Sequence, residues 1–561
     1  MTVQLRDYQL DASKAVRQSW SDGNRAVLSV MATGLGKTVF GLNEARDFPG
    51  RVLWLAHRQE LVDQPCKQYA RMFGEWPEVE MGRWKANKKL LNHKCHLVVG
   101  SPQTMLRRKN KWHPKDFDLV IVDEAHHYVS TGWNGVVDHF MSGNSDCRAL
   151  GLTATPKRTD EVALGKLFDD ALEPLDAVWG IDNGWLKPID EHMVHVEEIN
   201  LSDLKVRDGA DFSDRQLAML LRQHGGHLKA AKPIIDTGKH TIVFVPPKSA
   251  NDEHGMVREL SVALNAYCEE RGQPHQAFYV TCKTEEHIRE SLLRQFRNGD
   301  LKYFVNVGIA GEGFDAPLID CVASLRPTKS ELVYRQMIGR GMRPLPGVVD
   351  GPTTPEERRA AIAESASPRL LVLDFVGNCG RHRTMTVVDA LGGNYDDDII
   401  KSSVEEARKA GRAVNVAKLL EWSAKKAVEE KQRQMSESAR RKVTADVRYT
   451  LTKFDPFAVM GVVQEREPGW FRGQKPTDKQ RDLLLRRGVE AERIAEFSKW
   501  QASKLIGELL AAQDRGEASY KQAKILLQFG ELVVVNGQRR KFAEASAIIT
   551  RIKDNGWRPL R

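Results

Sequence analysis

Short apolar runs rich in Val, Ile and Leu recur along the first two thirds of the chain, each set off by polar or amphipathic stretches. "RAVLSV" (25–30), "RVLWLA" (51–56), "CHLVVG" (95–100), "LVIVDE" (119–124) and "RALGLT" (148–153) form one series. "HTIVFV" (240–245), "QAFYVT" (276–281), "KYFVNV" (302–307), "DCVASL" (320–325) and "RLLVLDF" (369–375) form a second. Strand-length runs separated by helix-length segments predict parallel sheets with helical crossovers. Two α/β sheets of similar size are therefore expected in tandem, joined near 190–225. Residues 344–369, dense in Pro, Gly and Ser, read as an inserted surface loop. From about residue 400 the pattern turns helical and charged, interrupted by the short apolar link "KFDPFAVMGVV".

The end of the chain echoes itself. "TDKQRDLLLRRG" (477–488) returns as "SYKQAKILLQFG" (519–530), and "SKWQASKLI" (498–506) more faintly as "KFAEASAII" (541–549). Each copy predicts two helices, with Thr477, Ser498 and Ser519 as N-caps and Gly488, Gly516 and Gly530 as stops. The expected layout is 1–195 and 196–385 for the two sheets, 386–470 for a charged helical linker and 471–561 for a basic helical repeat.

Charge supports this division. The chain carries +9, but residues 471–561 hold 19 Lys+Arg against 11 Asp+Glu, and 401–450 hold 13 against 7. The remainder is slightly acidic. A basic tail suits a polyanion such as nucleic acid; the competing reading is a solvated helical face that packs or docks a protein partner. The seven cysteines are scattered with no C-x-x-C pair, which argues against a disulfide framework and a cysteine-rich zinc site. No apolar run approaches the length of a membrane span, and "MTVQLRDYQL" has no apolar signal core. A reducing cytoplasm is the expected setting.

The chemistry begins at "VMATGLGKTVF" (30–40), directly after the first predicted strand. Gly34 and Gly36, with Thr33 beside them, allow a backbone to wrap a phosphate at a helix N-terminus. Lys37 would reach the β- and γ-phosphates of a nucleotide, and the Thr38 hydroxyl would hold Mg²⁺. Met31 stands where the strict pattern has Gly. "DEAHH" (123–127) supplies the other half of such a site at the tip of a strand. Asp123 would complete the Mg²⁺ shell, Glu124 would polarise the attacking water, and His126 would sense the γ-phosphate. His127 is expected to be structural or to touch a neighbouring motif.

In this order the motifs resemble those of the superfamily two helicases and translocases across residues 1–380. "LRDYQ" (5–9) is similar to their adenine-reading motif, with Gln9 on the base. "LAHRQELVDQ" (55–64) and "VGSPQTM" (99–105) are similar to strand-tracking motifs. "LTATP" (152–156), with Thr153 and Thr155, resembles the motif that couples the two activities. "VNVGIAGEGFDAP" (305–317) and "YRQMIGRGMR" (334–343) resemble the fifth and sixth motifs. "NVGIAGEGFDAP", "LRPTKS", "QMIGRGMR" and "LDFVGN" carry a narrower likeness to RadD-type proteins and phage-borne relatives, in the group holding XPB, UvsW and restriction-enzyme motors. The resemblance implies two RecA-like domains, with Gln336, Gly313, Asp315, Arg340 and Arg343 of the second closing on ATP held by the first. It also implies DNA as partner, lined by Arg58, Gln59, Ser101, Gln103 and Thr104. The alternatives are an RNA helicase, a restriction or defence motor that borrows its nuclease, and a degenerate ATPase scaffold. RadD-type proteins carry a cysteine-rich segment after "GN"; Cys379 stands alone here, so no zinc is expected.

Overall fold

The computed structural model of the chain describes residues 4–57, 59–87, 96–129, 131–154, 164, 167–194, 214–223, 225–246, 255–281, 283–307, 316–326, 328, 330–375, 395, 397–410, 414–444, 455–462, 467–471, 473–535, 538–558 and 560. Two units divide it: residues 1–391 with 408–417, and residues 392–407 with 418–561.

The first unit contains both sheets. One has seven strands, β1 (Ala26–Val30), β2 (Val52–Leu55), β3 (Glu78–Glu80), β4 (Leu97–Gly100), β5 (Leu119–Asp123), β6 (Arg148–Thr153) and β7 (Asp170–Ala171), ordered β3-β4-β2-β5-β6-β1-β7. The other has β8 (Ile189–Met193), β9 (Thr241–Phe244), β10 (Ala277–Val280), β11 (Tyr303–Asn306), β12 (Cys321–Ser324), β13 (Leu370–Asp374) and β14 (Val414–Asn415), ordered β10-β11-β9-β12-β13-β8-β14. Every pairing is parallel except the short β14–β8 contact. β1, β2, β4, β5, β9 and β12 are buried along their whole length, as strands covered by helices on both faces must be. All ten predicted runs became strands.

Two expectations change on contact with the coordinates. Ile189–Met193, placed by sequence at the end of the first region, hydrogen-bonds along β13 of the second sheet. Its Ile-Asp-Glu-His-Met sequence lacks an apolar run; parallel backbone pairing with Leu370–Asp374 places it instead, with the Arg369–Asp190 ion pair at 3.1 Å beside it. The 344–369 stretch is not a loop throughout: Pro355–Glu364 is a helix. Thr354 caps it, Glu357 completes the capping box, and Pro355 sits in its first turn.

The second unit is helical. Its core combines Phe457, Val459 and Met460 with Leu484, Leu505, Leu509, Tyr520, Leu526 and Ile552, so the apolar "DPFAVMG" segment is core rather than a free link. Thr477, Ser498 and Ser519 each accept a hydrogen bond from the N–H three residues on, and a glutamine at that position closes each capping box. Gly488, Gly516 and Gly530 have the positive φ that a helix stop requires. Gln480 continues to Ser503 of the helix Lys499–Asp514 at 2.7 Å, past the short helix Ala491–Glu496 that the two-helix expectation lacked. Gln522 continues to Ser546 of the helix Phe542–Asp554 at 2.8 Å.

Candidate nucleotide site

β1 delivers the chain into a tight loop. Met31 still belongs to the sheet: its N–H donates to the Thr153 carbonyl at 2.9 Å and its side chain is buried, so a glycine is not needed there. The turn comes at Gly34 (φ +99°) and Gly36 (φ +76°), and the helix Lys37–Asp47 starts immediately after. Its first N–H groups and positive dipole end face the loop, the arrangement that receives phosphate.

The helix Asp7–Ser21 braces this loop. Tyr8 Oη donates to the Leu35 carbonyl at 2.8 Å, and Gln9 Nε2 donates to Leu35 and Gly36 carbonyls at 3.3 and 3.2 Å. The Gln9 carboxamide also caps its own helix, accepting the Arg6 N–H at 2.9 Å. Gln9 therefore reads the loop backbone as well as lining the space beside it.

β5 ends in Asp123 and Glu124. Glu124 adopts φ +50°, a left-handed conformation costly for a side-chain-bearing residue, and its N–H is held by Asp123 Oδ1 at 3.0 Å. Glu124 lines the same space as Lys37 and Thr38. His126 does not line that space. Its Nδ1 lies 3.1 Å from Thr153 Oγ1 and 3.4 Å from Glu124 Oε2, in a buried position that links the carboxylate to β6. Thr153 thus touches both halves of the site, since its carbonyl also holds Met31. The His127 ring packs on His57, with centroids 4.4 Å apart.

The second sheet contributes through the helix Glu331–Ile338, which follows β12. Two glycines let the sheets meet. A Cβ at Gly339 would lie 2.6 Å from Thr33 Cβ, and one at Gly34 would meet Leu186 at 2.8 Å and Arg343 at 3.3 Å. Lys187 fixes the same region: its N–H donates to the Met342 carbonyl at 2.7 Å. Its buried Nζ donates to Ile319 O and Ser367 Oγ, and burial pulls its pKa down to about 8. Gln336, Arg340 and Arg343 thereby share one cavity of about 370 Å³ with Thr33, Gly34, Gly36, Lys37, Thr38, Asp123 and Glu124.

Arg6, Gln64, Gln68 and Asp350 also line the cavity and were not singled out from sequence. Gln64 and Gln68 carry a readable signal, because an i, i+4 polar pair shares one helix face. Asp350 carries none.

The strand-facing expectations divide. Gln59 and Gln103 are exposed. Ser101 and Thr104 are buried: Ser101 caps the helix Pro102–Arg107 and its hydroxyl donates to Thr104 Oγ1 at 2.9 Å, so both hydroxyls turn inward. Arg58, Thr155, Gly313 and Asp315 lie outside the described residues.

Mg²⁺ suits the donor set. Thr38 and Asp123 offer a hydroxyl and a carboxylate in one cavity, and hard oxygen donors with water and phosphate are what this ion takes. Among the described residues no cluster of three His, Cys, Asp or Glu could hold a metal by itself. Among those residues, too, no helix is long and apolar enough to cross a membrane.

Comparison with known proteins agrees with this geometry. Residues 2–158 match the family model "Type III restriction enzyme, res subunit", and residues 226–344 match "Helicase conserved C-terminal domain". These two regions are thus similar to superfamily two helicase domains, and the relatives they match include restriction-enzyme and XPB-type proteins. It is 30% identical over 362 residues to "Putative ATP-dependent helicase IRC3" of Saccharomyces cerevisiae, covering 60% of this chain and 49% of that protein. It is 26% identical over 371 residues to the type I restriction enzyme EcoAI endonuclease subunit of Escherichia coli, covering 60% and 44%. A fragment of an HsdR subunit from Vibrio vulnificus superposes with a TM-score of 0.48 at 22% identity, covering 67% of this chain and 65% of that one. The chain spans about half the length of the curated relatives it matches.

Proposed function

We propose that this chain is an ATP-driven motor on DNA, a helicase or translocase whose two sheets close around ATP and part after hydrolysis. The observation that carries the reading is a single cavity receiving Lys37 and Glu124 from one sheet and Arg340 and Arg343 from the other. Lys37 and the loop N–H groups hold the β- and γ-phosphates; Thr38 and Asp123 would hold Mg²⁺, which would supply neutralising charge to the phosphates. Glu124 orients the attacking water and takes its proton. Arg340 and Arg343 meet the charge that develops on the transferred phosphoryl group, where such a cation contributes roughly 10³–10⁵ in rate. Thr153, joined to His126 and to Met31, reports the state of Glu124 to the phosphate loop; Thr155 belongs to the same coupling motif. Gly313 and Asp315 tie the nucleotide from the second sheet.

DNA lies across both sheets in this reading, met by Arg58, Gln59 and Gln103 on the first, with Ser101 and Thr104 shaping that edge from beneath. Contacts of this kind go to phosphate and sugar and give little sequence preference. The basic second unit supplies a further grip. Work in replication, recombination or repair fits a motor of this kind. A second reading, the motor of a restriction or defence system, is favoured by the kinship to restriction subunits; no P-D…E-x-K nuclease constellation is present in the sequence, so cutting would need a partner. ATP turnover measured with single-stranded, duplex and forked DNA and with RNA tests the proposal. Stimulation by a DNA form is expected, and turnover indifferent to every nucleic acid would refute it.

A further inference from the structure

The 344–369 insertion has a place in the fold that its composition hides. The helix Pro355–Glu364 lies against the turn Asp182–Trp185 so closely that a Cβ at Gly184 would sit 2.6 Å from Arg358 Cβ. Arg358 is 5% exposed; its Nε donates to the Asn183 carbonyl at 2.8 Å and its guanidinium stacks on Trp185 at 4.0 Å. Arg359 donates to the Asp182 carbonyl. These contacts fix the Trp185 ring, which packs against Tyr8 at 5.2 Å.

Arg6 completes the stack. Its guanidinium lies 4.8 Å from the Trp185 centroid, and its Nη2 is 3.9 Å from Asp350 Oδ1 at the start of the insertion. Arg6 and Asp350 both line the nucleotide cavity, together with Gln4 and Gln9. A triphosphate anchored on the loop at Gly34–Lys37 must place its base among the remaining lining groups. Arg6 is the planar cation there, and a guanidinium held flat offers a face to a purine.

We propose that the 344–369 insertion is part of the nucleotide site. It builds the base-side wall, with Asp350 and Arg358 as positioning residues that hold Arg6 against the base of a purine nucleoside triphosphate. This rests on the reading of the cavity as an ATP site. The insertion recognises the base, not the phosphates, and therefore sets affinity rather than chemistry.

Inorganic tripolyphosphate separates the two parts of the ligand, since it carries the phosphates without a base. The full-length protein, Asp350→Ala and Arg358→Ala are titrated with Mg-ATP and with Mg-tripolyphosphate, and KM and kcat for ATP are measured alongside. Loosening the hold on Arg6 is expected to weaken ATP by about three- to tenfold, up to the loss of one stacking cation. Tripolyphosphate affinity is expected to stay level and kcat to change by less than about twofold, the balance a base contact predicts. Asp350 is 66% exposed in its side chain, so its variant folds even if the buried Arg358 variant does not. Unchanged ATP affinity in Asp350→Ala overturns the proposal, as does an equal loss for both ligands. Lys37→Ala must weaken both ligands; if the wild-type protein binds neither in a Lys37-dependent way, the ATP reading itself fails and the proposal falls with it.

Discussion

Gly339→Ala is the smallest change that should separate the sheets. The added methyl would lie 2.6 Å from Thr33 Cβ, 2.7 Å from Thr33 Cγ2 and 2.9 Å from the Arg335 carbonyl. Rotating Thr33 moves Cγ2 but leaves its Cβ in place, so the segment after the helix, which bears Arg340 and Arg343, must retreat from the loop by several tenths of an ångström. Overpacking a fitted contact costs about 1–3 kcal/mol, and each 1.4 kcal/mol is tenfold in population. If turnover requires the shut arrangement, DNA-stimulated kcat should fall roughly 5- to 150-fold. The first sheet is untouched, so ATP binding should persist with a smaller loss. Steady-state ATPase assays at saturating DNA, paired with equilibrium nucleotide binding, measure the two separately. Pairing the change with Thr33→Gly removes both side-chain clashes but not the one with Arg335, so the double variant should regain part of the lost coupling. Wild-type kcat in Gly339→Ala would refute the close-approach argument.

Other outcomes follow from single groups. Glu124→Gln should keep nucleotide and DNA binding while losing about 10²–10⁴ in turnover, and Lys37→Ala should weaken binding too; hydrolysis by Glu124→Gln within a few-fold of wild type would remove Glu124 from its role. Ending the chain at Ala417 keeps β14 and removes residues 418–561. Basal ATPase should survive, while the log–log salt slope of DNA binding should drop by about 0.9 per lost duplex phosphate contact, or 0.7 on single strands; equal slopes would leave the second unit to protein contacts. Lys187 is buried with its pKa lowered to about 8, so the folded state releases its proton before the unfolded state does. Its burial penalty is complete below pH 8 and relieved as pH rises towards 10.5, so stability should gain with pH across that window. Lys187→Met should lose that slope in chemical denaturation, and identical slopes would mean the ammonium is not desolvated.

Much of this was legible because parallel strands covered on both faces are mostly apolar, which wrote β1, β2, β4, β5, β9 and β12 into the sequence as near-continuous apolar runs. The phosphate loop was legible for a related reason: Gly34 and Gly36 take conformations that other residues resist. What escaped depends on partners far along the chain. β8 is held by its pairing with β13, about 180 residues away, and its Asp-Glu-His centre gives no strand pattern. The insertion helix did carry a Thr-Pro-Glu-Glu start, outweighed by the prolines and glycines before it. Ser101 and Thr104 show the opposite failure, a local cap that looks like a polar surface when only spacing is read. Asp350 acquires meaning only when the fold brings it beside Arg6.

The central claim is that hydrolysis needs both sheets, and Arg340→Ala and Arg343→Ala test it most directly. Both arginines reach the cavity from the second sheet, while Lys37, Asp123 and Glu124 come from the first. Single-turnover ATP hydrolysis with saturating DNA, compared with ATP affinity on the same proteins, is the measurement. Near-normal affinity with hydrolysis reduced about 10³-fold or more is the expected result for a cation acting on the phosphoryl transition state. Hydrolysis within a few-fold of wild type in both variants would contradict a shared site and leave the first sheet to act alone.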